Sequence, residues 1–295
     1  NHWLSLFDVD RSCILDPLTQ PLPFTPFKDF TGRSINEINL YSTEMSSALC
    51  SIDRVSASAN MNNRLSEAIV EAYKSTNGAP ISFELMLKCY QSRMKDANND
   101  DSISSVLKQL VNAHIFESED KVSLIDDSYI IKMDGYPKDG PIAKAIVYFL
   151  MSKLNNIYEL LDKQAVNDEV VQIRHFSIID EAHYMLDFDN RPLRNLIAVG
   201  RNKGLSIILA TQNMSSFKSK GFDFYANAQY PLIMKQQTID DKVIKDLFGV
   251  SGQELQEIRT AIAGLQKGEL IIKDQMAFAL GMGNKYKKIN VTHLI

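Results

Sequence analysis

Cysteine is scarce: the 295 residues hold only 3, Cys13, Cys50 and Cys89, with no C-x-x-C spacing among them. A disulfide-built secreted scaffold is thereby excluded, and the sparse, odd set suits a reducing compartment, the cytoplasm. An excess of one charge is lacking too. With 32 Lys and Arg against 36 Asp and Glu, the net charge is -4, so the surface as a whole does not coat nucleic acid and any contact with DNA has to be local. Long apolar runs are also absent. The best candidate, Ile142 to Leu150, is broken by Lys144 and falls short of the roughly 18 apolar residues of a membrane span, so no membrane partner is expected. A composition of 45% hydrophobic and 23% charged residues excludes disordered, collagen-like and mucin-like chains, and this length buries a core without disulfide or structural metal. An initiating Met is missing as well. Asn1 runs straight into His2-Trp3-Leu4-Ser5-Leu6-Phe7, so the expectation is an internal cut with part of an active site upstream.

What is present begins with Cys13-Ile14-Leu15-Asp16, read as a short strand, and a loop punctuated by Pro17, Pro21, Pro23 and Pro26 with Phe24 and Phe27 packed down. From about Ser42 to Phe116 the period is helical: Leu65, Ala68, Ile69, Ala72 and Tyr73 share one face, as do Ile103, Val106, Leu107, Leu110 and Val111. Asn62, Ser82 and Asp101 are the expected caps. This predicts a helical subdomain of about four helices. Beyond it strands and helices alternate. Val122 to Asp126 and Tyr129 to Met133 read as extended, Gly140-Pro141 opens a helix to about Leu161, and Arg191 to Asn202 is a further helix. Pro231 to Met234 and Glu269 to Lys273 read as strands around helices near Asp240 to Phe248 and Ser251 to Ala263, the last with a Ser251/Glu254 capping-box spacing. Alternation of this kind predicts an α/β fold with a mainly parallel sheet. No internal repeat and no low-complexity segment occurs.

The chemistry concentrates in Ile178-Ile179-Asp180-Glu181-Ala182-His183, where two adjacent carboxylates end a continuous apolar run beginning at Phe176. Such a run is expected of a strand buried on both faces, and open α/β sheets place their ligand crevice at carboxyl ends of strands. In a nucleoside triphosphatase the first acid holds the magnesium shell, and the second orients or deprotonates the attacking water. The alternative is a solvated strand end. Gly200-Arg201-Asn202-Lys203-Gly204 then leads into the apolar Leu205 to Leu209 and Ala210-Thr211-Gln212, which sets Gln212 32 positions after Asp180. A helix fits between, so the two strands are expected side by side with Gln212 near the acids. There an amide either senses the γ-phosphate or the attacking water, or ties down a loop. His183 reads as a polar contact on the following turn; no second His or Cys at ligand spacing makes it a metal ligand.

Asp180-Glu181, Gly200-Arg201 and Ala210-Thr211-Gln212 together resemble the FtsK/HerA superfamily of ring-shaped ATPases, in particular its HerA and VirB4-like branch. Asn227, Gly268-Glu269, the helical insertion and Ile14-Leu15-Asp16-Pro17 extend the likeness. Within the superfamily, the ATPase component of phosphorothioation-dependent DNA restriction systems looks most similar. The resemblance implies a RecA-like core with the helical subdomain inserted, divided as 1–41 for the start of the ATPase core, 42–116 for the helical subdomain and 117–295 for the core with the second-acid and sensor strands. It also implies an ATP-driven translocase or helicase-like motor on DNA, a homohexamer, other subunits of a DNA-processing or defence complex, and ATP with Mg²⁺ as cofactors. Glu181 would be the catalytic base, Asp180 the Mg²⁺ residue acting through water, Gln212 the sensor, and Arg201 either a cap on its own helix or a contact to a neighbouring subunit's nucleotide.

The superfamily grips phosphate with G-x-x-x-x-G-K-[ST], and no such string occurs here. Gly281-Met282-Gly283-Asn284-Lys285 is misplaced and lacks the hydroxyl residue, so the phosphate loop is expected before Asn1 and the chain by itself is expected to be inactive. Two alternatives stand. One is a DEAH-type helicase, whose name Asp180 to His183 spells, although such helicases carry Ser-Ala-Thr where Ala210-Thr211-Gln212 stands here. The other is a non-catalytic DNA-docking or assembly module. The basic, aromatic loop Ser215 to Phe222, with Lys218, Lys220 and Phe217, is the candidate DNA contact, a solvated loop being the alternative. Lys285, Lys287 and Lys288 read as solvated, and Met45, Met61, Met86 and Met94 as core filling.

Overall fold

A computed structural model describes residues 13–52, 57–95, 99–167, 170–219, 222–228, 230–274, 279 and 285–291. The chain forms two compact units, the larger made of Asp10–Ser177 and Asp187–Ile208, the smaller containing Ile178–Leu186 and Leu209–Ile295.

In the larger unit, β1 (Ile14–Leu15) pairs in parallel with β2 (Ile130–Ile131). Between them lie α1 (Ile35–Ile52), α2 (Ala59–Ser75), α3 (Phe83–Gln91) and α4 (Ser102–Ala113). The helical faces read from the sequence are the buried ones: Leu65, Ala68, Ile69, Ala72 and Tyr73 on α2, and Ile103, Val106, Leu107 and Leu110 on α4. Ser82 caps α3 by accepting the Leu85 N–H, and Asp101 forms a full capping box with Ser104 on α4. Asn62 does not cap α2. That helix starts earlier, because Ser58 is extended (φ -67°, ψ 157°) and accepts the Met61 N–H, leaving Asn62 inside the first turn. Phe27, from the proline-rich segment, packs edge-on against Phe83 at 4.9 Å and Phe149 at 5.7 Å, which fixes that segment to α3 and to α5 (Pro141–Leu160). Val122 to Asp126 is not extended. Ser123 Oγ donates to the Asp126 carboxylate at 2.6 Å and closes a turn.

A small antiparallel pair, β3 (Val166–Asn167) with β4 (Val170–Val171), follows α5. Next come β5 (His175–Ile179), α6 (Arg191–Val199) and, after the 3₁₀ turn Gly200–Lys203, β6 (Leu205–Leu209). β5 and β6 pair with each other. Arg174 and His175 N–H donate to Gly204 O at one end and Ala210 N–H to Ile179 O at the other, so residue numbers rise together and the pair is parallel. Gly204 turns the chain into β6 with φ 81°, and a Cβ there would lie 2.8 Å from Gln172 O, so only glycine fits. Lys203 closes the carboxyl end of α5, its Nζ donating to Tyr158 O at 2.5 Å and Glu159 O at 3.1 Å.

In the smaller unit, β7 (Lys218–Ser219) and β8 (Phe222–Asp223) form an antiparallel pair. β9 (Leu232–Met234), β10 (Glu269–Lys273) and β11 (Tyr286–Asn290) form an antiparallel sheet in the order β11-β10-β9. Ile233 and Ile271 pack against Val243, Ile244 and Phe248 of α7 (Asp241–Phe248) and Leu255, Ile258 and Ile262 of α8 (Gly252–Ala263). Asp240 caps α7. Ser251 occupies the cap position of α8, yet the expected box is not made: the Ser251 side chain makes no cap bond and Glu254 pairs with Lys285 at 3.2 Å.

Candidate functional site

β5 carries its acids where the sequence placed them, but it is not covered on both faces. Phe176 and Ile178 remain 55% and 68% exposed, because alternate residues of a strand face opposite ways and only the side bearing His175, Ser177 and Ile179 is half-buried among the described residues. Immediately after β5 the chain turns sharply. Asp180 Oδ1 accepts the Glu181 N–H at 2.9 Å, and Glu181 takes a left-handed conformation with φ 50°. A non-glycine residue there costs of order 1 kcal/mol or more and persists only when its surroundings hold it. Two hydrogen bonds to the end of β6 do so: Ala210 N–H donates to Ile179 O at 2.9 Å, and Ala182 N–H to Ala210 O at 2.8 Å. Ala182 is fully buried beneath the turn, and the helical turn His183–Leu186 follows.

The Glu181 side chain therefore stands beside Thr211 and Gln212. Gln212 Nε2 donates to Glu181 Oε1 at 2.5 Å. Glu181 Oε2 is buried and without a hydrogen bond, and His183 Nδ1 stands 3.4 Å from it, an ion-pair distance but too long for a sound N–H···O bond. The same Nδ1 is 3.3 Å from Thr211 Oγ1. Asp180 is exposed, and its Oδ2 has no hydrogen bond or ion pair among the described residues. Among those residues no group of three or more His, Cys, Asp or Glu could hold a metal ion. A carboxylate with one oxygen free and exposed to solvent fits Mg²⁺, which binds through one or two carboxylates and fills its other positions with water and phosphate oxygens.

Asp180, Glu181 and Gln212 thus come together, and His183 makes the polar contacts expected of it. Thr211, quoted within Ala210-Thr211-Gln212, was given no role of its own in the sequence; its contact to His183 is added by the structure. Arg201 lies in the larger unit, exposed in the turn after α6, its guanidinium without a hydrogen bond or ion pair among the described residues. The Phe217 ring packs against Tyr225 at 6.0 Å and Phe224 at 6.4 Å. Lys218 lies in β7, and Lys220 lies outside the described residues. Asn227 ends a helical turn and donates from Nδ2 to Asp223 O, and Glu269 opens β10 after Gly268 at φ 83°. Lys285, Lys287 and Lys288 are each paired, with Glu254, Asp274 and Glu269.

Neither a protein-family model nor a curated protein matches the chain. Solved structures do. VirB4 of Thermoanaerobacter pseudethanolicus superimposes with a TM-score of 0.66 at 15% identity, covering 99% of this chain and 79% of that one. The plasmid coupling protein TrwB in complex with the non-hydrolysable ATP analogue ADPNP gives 0.58 at 14% identity, over 98% of this chain and 75% of that one. TrwB in complex with ADP and Mg²⁺ gives 0.56 at 13% identity, over 98% and 76%. The chain has the RecA-like fold of VirB4 and TrwB. The FtsK/HerA resemblance read from the acids, the Gly-Arg turn and the amide is borne out as a likeness of fold. In this RecA-like frame the acid turn and the amide sit at the carboxyl ends of adjacent parallel strands, where such sheets bind ligands. Among the described residues no helix is long and apolar enough to cross a membrane.

Proposed function

We propose that this chain is the acid-and-sensor part of an ATP-driven, DNA-translocating or helicase-like motor. The observation that carries the proposal is the Gln212–Glu181 hydrogen bond at the ends of the parallel strands β5 and β6. It sets a carboxylate and an amide together as hydrolysis of a γ-phosphate requires. Glu181, with Oε2 free of hydrogen bonds, accepts the proton of the attacking water. Asp180, through its free Oδ2, would hold the water shell of Mg²⁺, and Gln212 would report the state of the γ-phosphate. Mg²⁺, when bound, supplies neutralisation of the phosphate charge. The nucleotide and Mg²⁺ complexes of TrwB support this choice of ligands.

These 295 residues contain no phosphate-loop string, so the reading assigns them the acid and sensor roles and not the grip on the β- and γ-phosphates. On this reading residues 42–116 are the inserted helical subdomain and 117–295 the ATPase core, the subunits form a cytoplasmic hexamer around DNA, and Arg201 reaches a neighbouring subunit's nucleotide. Service in DNA restriction or defence, beside other subunits, is the setting the sequence resemblance suggests. In the full-length protein Glu181→Gln keeps the shape and the Gln212 contact but removes the base. Turnover should fall at least about a hundredfold with nucleotide binding retained. Turnover equal to wild type would remove Glu181 from the mechanism. The missing string favours one second reading, a DNA-docking module without catalysis, which requires that the full-length protein bind no ATP.

A further inference from the structure

The two oxygens of the Glu181 carboxylate are unequal. Oε1 takes the Gln212 amide, while Oε2 is buried with no hydrogen bond. A buried carboxylate oxygen left unpaired is costly, so the donor nearest to it calls for an account. That donor is His183 Nδ1 at 3.4 Å, and Thr211 Oγ1 stands 3.3 Å from the same nitrogen. The ring is backed by Tyr184, with centroids 4.0 Å apart.

In a neutral imidazole a given nitrogen either donates or accepts, not both. If the Thr211 hydroxyl donates to Nδ1, the ring proton sits on Nε2 and nothing is offered to Glu181 Oε2. If the proton sits on Nδ1, it is available to Oε2, where a donated bond orients the carboxylate and occupies its free oxygen. Thr211 and Gln212 are consecutive residues just past β6, and both bear on Glu181, one through His183 and one directly. A shift at the end of β6 therefore changes the hydrogen bonding of both carboxylate oxygens together.

We propose that His183 is a positioning residue for Glu181, and that the Thr211 hydroxyl controls whether its Nδ1 is engaged away from Oε2 or turned toward it. With Thr211 holding Nδ1 as an acceptor, Oε2 is left free to take a proton from water. With that hold released, Nδ1–H closes onto Oε2 and the carboxylate is masked. The inference rests on the reading of Glu181 as the base.

Two measurements on the full-length protein test it. In ¹⁵N-histidine-labelled protein, Thr211→Val should move the His183 ring nitrogens toward the Nδ1–H pattern; unchanged ring shifts would overturn the inference whatever the hydrolysis rates. In kinetics, Thr211→Val, which frees Nδ1–H to close onto Oε2, should lower kcat about tenfold with the KM for ATP within about twofold. Adding His183→Ala to it, which removes the masking donor, should recover most of the loss; no recovery would overturn the inference. Added to Glu181→Gln, Thr211→Val should cost nothing more, because it acts through a carboxylate already gone. Additive losses would mean a structural role independent of Glu181 and would also overturn it. Failure of the parent reading looks different: Glu181→Gln alone would then retain wild-type turnover.

Discussion

The side chains of Gln212 and Glu181 meet 31 positions apart in sequence because each is the polar end of an apolar strand and the two strands are parallel neighbours. A bond of this kind is short-range and geometric. Gln212→Leu keeps the bulk and removes the donor, so Glu181 Oε1 loses the amide hydrogen bond. In the full-length protein hydrolysis should fall about ten- to a hundredfold with little change in nucleotide affinity, read from kcat and KM separately. An affinity loss with kcat intact would make the amide a nucleotide-binding group only.

Arg201 offers a test across subunits. It is exposed and, among the described residues, makes no hydrogen bond or ion pair from its side chain. Arg201→Ala protein mixed with Glu181→Gln protein should recover part of the lost hydrolysis in mixed rings, since an intact arginine can then face an intact acid. If mixing of subunits is confirmed and no activity returns, the arginine acts within one subunit or caps its own helix.

The acid turn and the amide were legible because apolar runs ending in polar residues follow from sequence alone. The backbone that makes them work was not: Glu181 at φ 50° depends on hydrogen bonds from Ala210 and Ala182, which belong to different strand ends. Caps divided in the same way. Ser82 stands alone before its helix and was read correctly, as was Asp101 although Asn98, Asn99, Asp100 and Ser102 flank it in sequence, whereas among Ser58, Asn60, Asn62 and Asn63 only extended backbone at Ser58 decides. The Ser251/Glu254 spacing failed for a tertiary reason, since Lys285 draws the glutamate away. The α/β class was legible in the alternation of strands and helices, and the RecA-like core in the resemblance carried by Asp180-Glu181, Gly200-Arg201 and Ala210-Thr211-Gln212. The antiparallel pairing of β9, β10 and β11 was not, because apolar strand patterns do not encode direction.

His175 makes stability depend on pH. Its ring stacks on Tyr158 at 6.4 Å, its Nδ1 is buried without a partner, and burial pushes the imidazole below its ordinary value of 6.5. As pH falls through that ordinary value the unfolded chain takes up a proton that the folded chain still refuses, so the unfolded state binds more protons and stability drops. The contribution is fully present above the unfolded value and is lost toward the lower folded one. His175→Phe should flatten the decline in urea midpoint between about pH 7 and pH 5, with little effect near pH 8. An equal decline in the variant would place the pH dependence elsewhere.

The loop after the amide strand carries the proposed contact to DNA. Phe217, which packs on Tyr225 and Phe224, anchors its base, and β7, containing Lys218, pairs with β8. Only five residues of sequence separate Gln212 from Lys218. Lysines that meet phosphates release counterions and read no sequence, so their effect is separable from that of the nucleotide site. Replacing Lys218 and Lys220 together by alanine in the full-length protein should weaken binding about equally for unrelated DNA sequences. It should also reduce the slope of log K against log salt by roughly one to two. ATP hydrolysis without DNA should stay near the wild-type rate, because neither lysine is assigned to the nucleotide. DNA affinity and salt slope unchanged in the double variant would return these lysines to ordinary solvated positions and move the DNA contact to another surface.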